Sequence, residues 1–476
     1  MKTTTDNVAP AVSKKKQYVW DERGTQYELG DKLAKGGEGL VLSIAGDRRL
    51  LVKVSLWPDA DERNQRWRRR IETVWRMPIL ENRLPIAMPQ TLIVKPRAGY
   101  VMELMDGLIP LEELLEQAHE ASCNQEGLTG YVASGGLGRR LRLLARLARV
   151  LAQLHGLAIA HGDLSPRNVF VSGSPEHSQV WLIDCDNLSY AVRDSSLQLY
   201  TPDYGAPEIM KREAGISTFT DVWSFAVMAF QLLTLLHPFK SGKRVDDDSE
   251  LEAPALRGEL PWVDHPEDDS NQAIGGVPRE IVCTPALQAL FDRCFRDGVK
   301  HPAARPVMAE WAEALEAAAA LQVACEEATG GCGSTFLWNA ALECPFCNTV
   351  HPPSSIVRLA HCIYAPLQDL EEGSNPKDCW MPTAHLQVVG TNPVDLRSSP
   401  PGSATYLESE VLASLWIEGG TLVLNPSGKH RLWVQHQGSS RLMPLNNKLS
   451  LERKDIAHAL HLGKSDRAHG AWRFRW

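Results

Sequence analysis

His161-Gly162-Asp163-Leu164-Ser165-Pro166-Arg167-Asn168, followed by a strand-like run and then by Trp181-Leu182-Ile183-Asp184, is the stretch on which the reading of this chain turns. An Asp and an Asn five positions apart are common, and the bland explanation is that they cap turns. Their placement is not common: they follow a helical pattern and precede an apolar strand, and the next apolar strand ends in Asp184. Phosphoryl transfer needs a carboxylate to orient an attacking hydroxyl and oxygen ligands to hold Mg²⁺ across the phosphates. Asp163, Asn168 and Asp184 supply those oxygens.

Upstream, Leu33-Ala34-Lys35-Gly36-Gly37-Glu38-Gly39-Leu40-Val41 lies between two strand-like runs. Glycines there let backbone N–H groups approach phosphate oxygens without a Cβ in the way. Alone, such a segment is more often an ordinary hairpin turn than a nucleotide site. Lys53 sits in Leu51-Val52-Lys53-Val54, a lysine inside an apolar strand, which is costly unless its charge is paired. Glu72, on the helix expected over Asp61 to Trp75, is the expected partner, with Glu62 as the alternative.

The organisation around these residues is that of several domains, since 476 residues exceed what one core holds. Tyr27 to Tyr100 alternates short β-branched runs with turns around one helix, as a small antiparallel sheet would. Leu141, Leu144, Ala148, Leu151 and Leu154 recur at helical spacing, so a helix over Leu137 to Leu154 buries one face. Strands are expected over Asn168 to Val171 and Val180 to Ile183, then mostly helix to about Leu321. The apolar run Val222 to Leu236 falls short of the ~20 residues a bilayer needs and reads as a buried helix. The tail reads as strands over His385 to Val389, Thr421 to Leu424, Arg431 to His436 and Trp472 to Trp476.

From about residue 26 to 320 the sequence resembles a protein kinase of the bacterial, eukaryotic-like Ser/Thr type. Beyond the motifs above, Thr201-Pro202-Asp203-Tyr204-Gly205-Ala206-Pro207-Glu208 is similar to the end of a kinase activation segment. Asp221-Val222-Trp223-Ser224 is similar to the start of the central helix, and Arg305-Pro306 to the late arginine that pairs with Glu208. The resemblance implies Asp163 as catalytic base, Asn168 and Asp184 as Mg²⁺ ligands, and Lys53 with Glu72 as the phosphate-positioning ion pair. It further implies that ATP is held by Ala34, Lys35, Gly36, Gly37, Gly39, Val41 and Lys53, with the hinge residues Glu103 and Met105 presenting backbone to adenine. The activity implied is transfer of the γ-phosphate to Ser/Thr hydroxyls of a protein partner; the alternatives are an ATP-binding pseudokinase scaffold and a small-molecule phosphotransferase.

Four departures from the family pattern stand out. Ala34 replaces the first loop glycine, and Ser165 stands where a lysine near the γ-phosphate is usual. Asp184-Cys185-Asp186-Asn187 replaces Asp-Phe-Gly. Gly162 replaces the arginine that reads a phosphorylated activation loop, so activity is expected without that switch.

Behind the kinase-like region, Cys325, Cys332, Cys344 and Cys347 form two thiols followed by a Cys-Pro-Phe-Cys knuckle, the makings of a structural tetrahedral Zn²⁺ site. His351 is an alternative ligand. The expected fold class is α+β: a flexible lead (1–25), a bilobal kinase fold (26–320, lobes 26–105 and 106–320), a zinc ribbon (321–353) and a small β-sandwich-like domain (356–476). That layout resembles bacterial kinases found with von Willebrand-type and phosphatase partners. The formal charge of −8 argues against nucleic-acid and membrane binding, and the arginine run Arg63 to Arg70 reads as a solvated or acid-docking face. Scattered cysteines and no apolar leader point to the cytoplasm.

Overall fold

The computed structural model describes residues 16–79, 84–123, 127–190, 200–439, 441–464 and 466–476. They divide into two compact units: residues up to Leu108 together with Leu182–Leu188, and the rest.

The first unit is a closed six-stranded barrel. Its strands are β1 (Gln17–Asp21), β2 (Gln26–Lys35), β3 (Gly39–Ile44), β4 (Asp47–Ser55), β5 (Thr91–Lys95) and β6 (Gly99–Glu103), in the order β1-β2-β3-β4-β6-β5. Alternating residues Val19, Leu42, Ile44, Val52, Val54, Ile93 and Val101 fill it. β1 is a correction to the expected lead: Val19 is buried, and the strand pairs with both β2 and β5, so the ordered lobe starts well before residue 26. The first fifteen residues of that lead lie outside the described residues.

Helix α1 (Glu62–Trp75) begins where the Asp61 side chain accepts the Arg63 N–H, an N-cap that satisfies one orphan donor. Trp67, Ile71 and Val74 recur at helical spacing and are buried, with Trp67 against Tyr100. The arginines on the remaining surface are largely neutralised, Arg63 by Asp61, Arg68 by Asp59 and Arg70 by Glu38 of the glycine-rich turn. The segment Leu182–Leu188 is stitched to this unit by hydrogen bonds between the Leu182 backbone and Pro85 and Ala87.

The second unit carries α2 (Leu111–Cys123), α3 (Thr129–Ala133), α4 (Gly136–Gly156), α5 (Pro207–Met210) and α6 (Thr218–Thr234). α4 buries Leu137, Leu141, Leu144, Ala148, Leu151 and Leu154, the face expected from its periodicity. α6 is buried on nearly every side and opens with a Ser217/Thr220 capping box. Its Trp223 and Phe230 interlock with Phe295 in edge-to-face contacts. Among the described residues, no helix is long and apolar enough to cross a membrane.

Behind the helix Met308–Ala320, strand Gln322–Ala324 pairs antiparallel with Thr335–Leu337 and carries the cysteine-rich segment. The tail then forms a six-stranded and a four-stranded sheet, Val357–Tyr364, Trp380–Val389 and His469–Arg475 among the first and Val394–Arg397, Val411–Glu418 and Thr421–Pro426 among the second. One core, including Leu359, Leu415, Leu424, Leu460 and Trp472, is shared by both sheets, which makes the tail a β-sandwich.

The sandwich is fastened to the helical region. Arg149 of α4 clamps Glu316 through hydrogen bonds of 2.8 and 2.7 Å and donates a third, at 2.7 Å, to the Ser403 carbonyl in a sandwich loop. The neighbouring Gly402 has φ +79°, and a Cβ there would stand 2.8 Å from the Glu313 carbonyl oxygen. The expected boundaries at 320 and 356 therefore separate segments that pack as one compact unit.

Candidate active site

The expected site residues fall into two sets, one in each unit. In the first, the five residues Leu51–Ser55 of β4 are all buried, so Lys53 enters the protein interior on a strand. Its ammonium donates to both oxygens of Asp186, at 2.8 and 3.1 Å, and is paired with Asp184. Burial alone would lower its pKa, but Asp186 and then Asp184 outweigh that and hold the ammonium charged. Burial raises the Asp184 pKa to about 7, with repulsion from Asp186 added and Lys53 opposing. Burial acts on Asp186 in the same sense but is overcome, chiefly by Lys53, and its carboxylate stays ionised.

The pairing corrects one expectation. Glu72 is not the carboxylate beside Lys53; it sits half-buried on α1, one residue past the inward-facing Ile71, and Glu62 is exposed in the first turn. What α1 contributes instead is Trp67, whose indole N–H donates to Asp186 at 2.7 Å. Asp186 is a site residue that sequence reasoning passed over. The available signal was a second acid two positions after Asp184, in a chain whose Lys53 needs a counter-charge.

Ala34 and Lys35 end β2, and the turn closes through a 2.9 Å hydrogen bond from the Gly36 N–H to the Gly39 carbonyl. Gly36 and Gly37 are exposed, whereas Gly39 opens β3 against the Lys53 side chain, where a Cβ would come within 2.9 Å of Lys53 Cε. Val41 lies opposite Lys53 in the β3/β4 register. Glu103 closes β6 and is exposed, and Met105 is half-buried two residues beyond.

In the second unit the loop carrying Asp163 is fixed from several sides. Asp221, buried in the first turn of α6, accepts the backbone N–H groups of His161 at 2.7 Å and Gly162 at 3.0 Å, and lies 3.0 Å from His155 Nε2. Gly162 has φ +85°, in the left-handed region that favours glycine. Asn168 donates to the Asp163 carbonyl at 2.7 Å, and the Thr201 hydroxyl donates to the Asp163 carboxylate at 2.8 Å. Asp163 and Asn168 are thus brought together, with Thr201 added to them. Ser165 is fully buried, while Arg167 is exposed and paired with Glu112 at 2.7 Å.

Downstream, Arg305 grips Glu208 with two 2.7 Å hydrogen bonds and reaches the carbonyls of Gly298 and Phe219 at 2.9 Å each. Its guanidinium also lies over the Trp223 ring. A bidentate, fully hydrogen-bonded pair of this kind fixes the end of the 201–208 segment.

The sulfur atoms of Cys325, Cys332, Cys344 and Cys347 all lie within 4.8 Å of one another. Cys325 and Cys347 are 3.6 Å apart and Cys332 and Cys344 3.8 Å apart. Tetrahedral zinc with Zn–S bonds of about 2.3 Å needs sulfurs about 3.8 Å apart, so the donor set fits the ion. His351 stands outside this cluster with its ring against Phe336.

Comparison with known proteins agrees with this geometry. Residues 97–310 match the family model of the protein kinase domain, a match that begins after Lys53 and the glycine-rich turn. The Myxococcus xanthus serine/threonine-protein kinase pkn2 is 36% identical over 109 residues, 21% of this chain and 13% of that protein. Human serine/threonine-protein kinase DCLK2 is 30% identical over 135 residues, 28% of this chain and 18% of that protein. Human serine/threonine-protein kinase H2 is 27% identical over 176 residues, 35% of this chain and 43% of that protein. The chain therefore spans less than half the length of each of these relatives. Loop, ion pairs and sequence likeness point the same way: residues 97–310 are similar to the protein kinase domain, and the relatives they match are serine/threonine-protein kinases.

Proposed function

We propose that the chain is an ATP-dependent Ser/Thr protein kinase. The observation that carries the reading is the Asp163 carboxylate, oriented by the Thr201 hydroxyl while Asn168 holds the Asp163 backbone carbonyl, in a loop that Asp221 pins. In the step proposed, the acceptor hydroxyl oxygen bonds to the γ-phosphorus while the bond from that phosphorus to the β–γ bridging oxygen breaks. ADP leaves with the electron pair, and the hydroxyl proton passes to Asp163. Asn168 and Asp184 would each offer an oxygen to Mg²⁺, which would supply charge neutralisation for the phosphates. Lys53 steers the α- and β-phosphates, and the turn Lys35 to Gly39 covers them. The backbone near Glu103 and Met105 receives adenine.

In the same proposal Cys325, Cys332, Cys344 and Cys347 hold a structural Zn²⁺ that stabilises a segment with little core of its own. The ribbon and sandwich form a docking module whose partners, beyond the protein substrate, are a von Willebrand-type protein and a protein phosphatase. Among the nine cysteines whose side chains are described, none is in a disulfide, in keeping with a cytoplasmic location.

The test is incubation of the purified chain with γ-³²P-ATP, Mg²⁺ and a generic protein acceptor, beside Asp163→Ala and Asp184→Ala. Label transferred by the parent and lost in both variants is expected. Equal labelling in all three would overturn the assignment.

A further inference from the structure

We propose that Asp186 is the positioning residue for Lys53, replacing a carboxylate on α1 and leaving Asp184 free for Mg²⁺. The proposal rests on the kinase reading and deepens it. Two acids flank the Lys53 ammonium, and their surroundings divide the work. The Asp186 side chain is 2% exposed, whereas that of Asp184 is 33% exposed. A buried ammonium must keep a buried partner, because losing it strands a charge away from water. A metal ligand must instead be reachable from outside.

Asp186 is held in place as a permanent partner would be. The short turn Cys185–Asn187 follows Asp184, whose backbone is left-handed at φ 58° and ψ 44°, and presents the Asp186 carboxylate inward. Lys53 takes both oxygens, and the Trp67 indole N–H takes one of them again. The Tyr100 hydroxyl stands 3.5 Å away as a weaker third donor group. With four hydrogen bonds from three groups converging on it, Asp186 has little acceptor capacity left for an ion. The aspartate where the family has its glycine thus supplies the charge that α1 does not. The hydrogen bond that α1 adds to the pair comes from an uncharged indole, and among the described residues the ion pair is made within β4 and the 184–187 turn.

The experiment compares Asp186→Asn, Glu72→Gln, Lys53→Met and the double variant Lys53→Met/Asp186→Asn in the full chain. Two readouts are used: the Kd of a fluorescent Mg-ATP analogue, and KM for ATP separately from kcat. Asp186→Asn is expected to raise Kd about tenfold and to lower kcat/KM about 100-fold, with Glu72→Gln at least tenfold milder. Because Lys53 and Asp186 act as a unit, the double variant is expected to match Lys53→Met within about threefold.

Glu72→Gln as damaging as Asp186→Asn, or effects that multiply in the double variant, would overturn the proposal. Nucleotide binding decides this point even if no phosphate is transferred, so the two readings fail separately. Should Asp186→Asn not fold, Trp67→Phe removes one donor only. It is expected to raise Kd about threefold and more than Glu72→Gln does; an unchanged Kd would equally overturn the proposal.

Discussion

Asp221 accepts the Gly162 backbone N–H at 3.0 Å, so a residue at the start of α6 fixes the residue immediately before Asp163. The same carboxylate takes the His161 N–H, and it is 1% exposed. Asp221→Ala would leave both amide groups without an acceptor in a dry site. At about 1–3 kcal/mol for each of the two unmet donors, a stability loss of about 2–6 kcal/mol is expected, read from urea unfolding. Phosphate transfer is expected to fall at least tenfold, since the loop that aims Asp163 loses its anchor. Asp221→Asn, which keeps one acceptor oxygen, should lie between.

Gly162 also bears on regulation. Its positive φ means that the arginine usual at this position would be strained as well as absent. Phosphatase-treated protein is therefore expected to retain its turnover. Gly162→Arg is expected to destabilise the fold by about 1–2 kcal/mol and to leave the enzyme no more responsive to phosphorylation. Thermal unfolding and an activity assay before and after dephosphorylation check both.

The four-sulfur cluster predicts one equivalent of zinc per chain by elemental analysis. Cys344→Ser, or a strong chelator, is expected to remove the metal and to expose the segment around Phe346 to protease. His351→Ala should retain full zinc, because the ring lies against Phe336 rather than among the sulfurs.

The sandwich should be acid-sensitive in a defined window. His461 faces His469 at 2.8 Å, Gln435 at 3.2 Å, and the rings of Tyr364 and Trp380. Burial first, and His469 second, depress its pKa from 6.5 to about 4. His361 is depressed to about 4 as well, by burial and then by His385. A proton binds these rings more readily in the unfolded chain. The stability they contribute is complete above about pH 6.5 and is lost as pH falls towards 4. The urea midpoint of the tail is expected to drop between pH 7 and pH 5, and to drop less in His461→Gln.

Much of this site was legible in the residues. The placement of Asp163 beside Asn168 and of Lys53 in a buried strand is legible because the loop, strand and helix patterns around them are strongly periodic, and α1 and α4 appear within a few residues of their expected limits. That Lys53 meets Asp186 and Asp184 rather than Glu72 is not legible, because helical spacing names the buried face, Trp67, Ile71 and Val74, but not which group meets the lysine. Asp221 and Thr201 escaped notice as anchors since their partners are backbone and side-chain atoms 38 to 60 residues away. In the sandwich, Val357–Tyr364 was missed because His361 and Cys362 blur its alternation, and β1 because five residues of strand follow a polar lead.

The hook that joins Arg149 to Glu316 and Ser403 bears on how the kinase segment can be handled in isolation. A fragment ending near residue 320 would strip the cover from the flank of α4 and wet a clamp that is otherwise shielded. It would also free the Ala320 carbonyl now capped by Gln387. The tail acts as a buttress to the helical region that carries Asp163, and poor solubility of a truncated protein would report a missing wall.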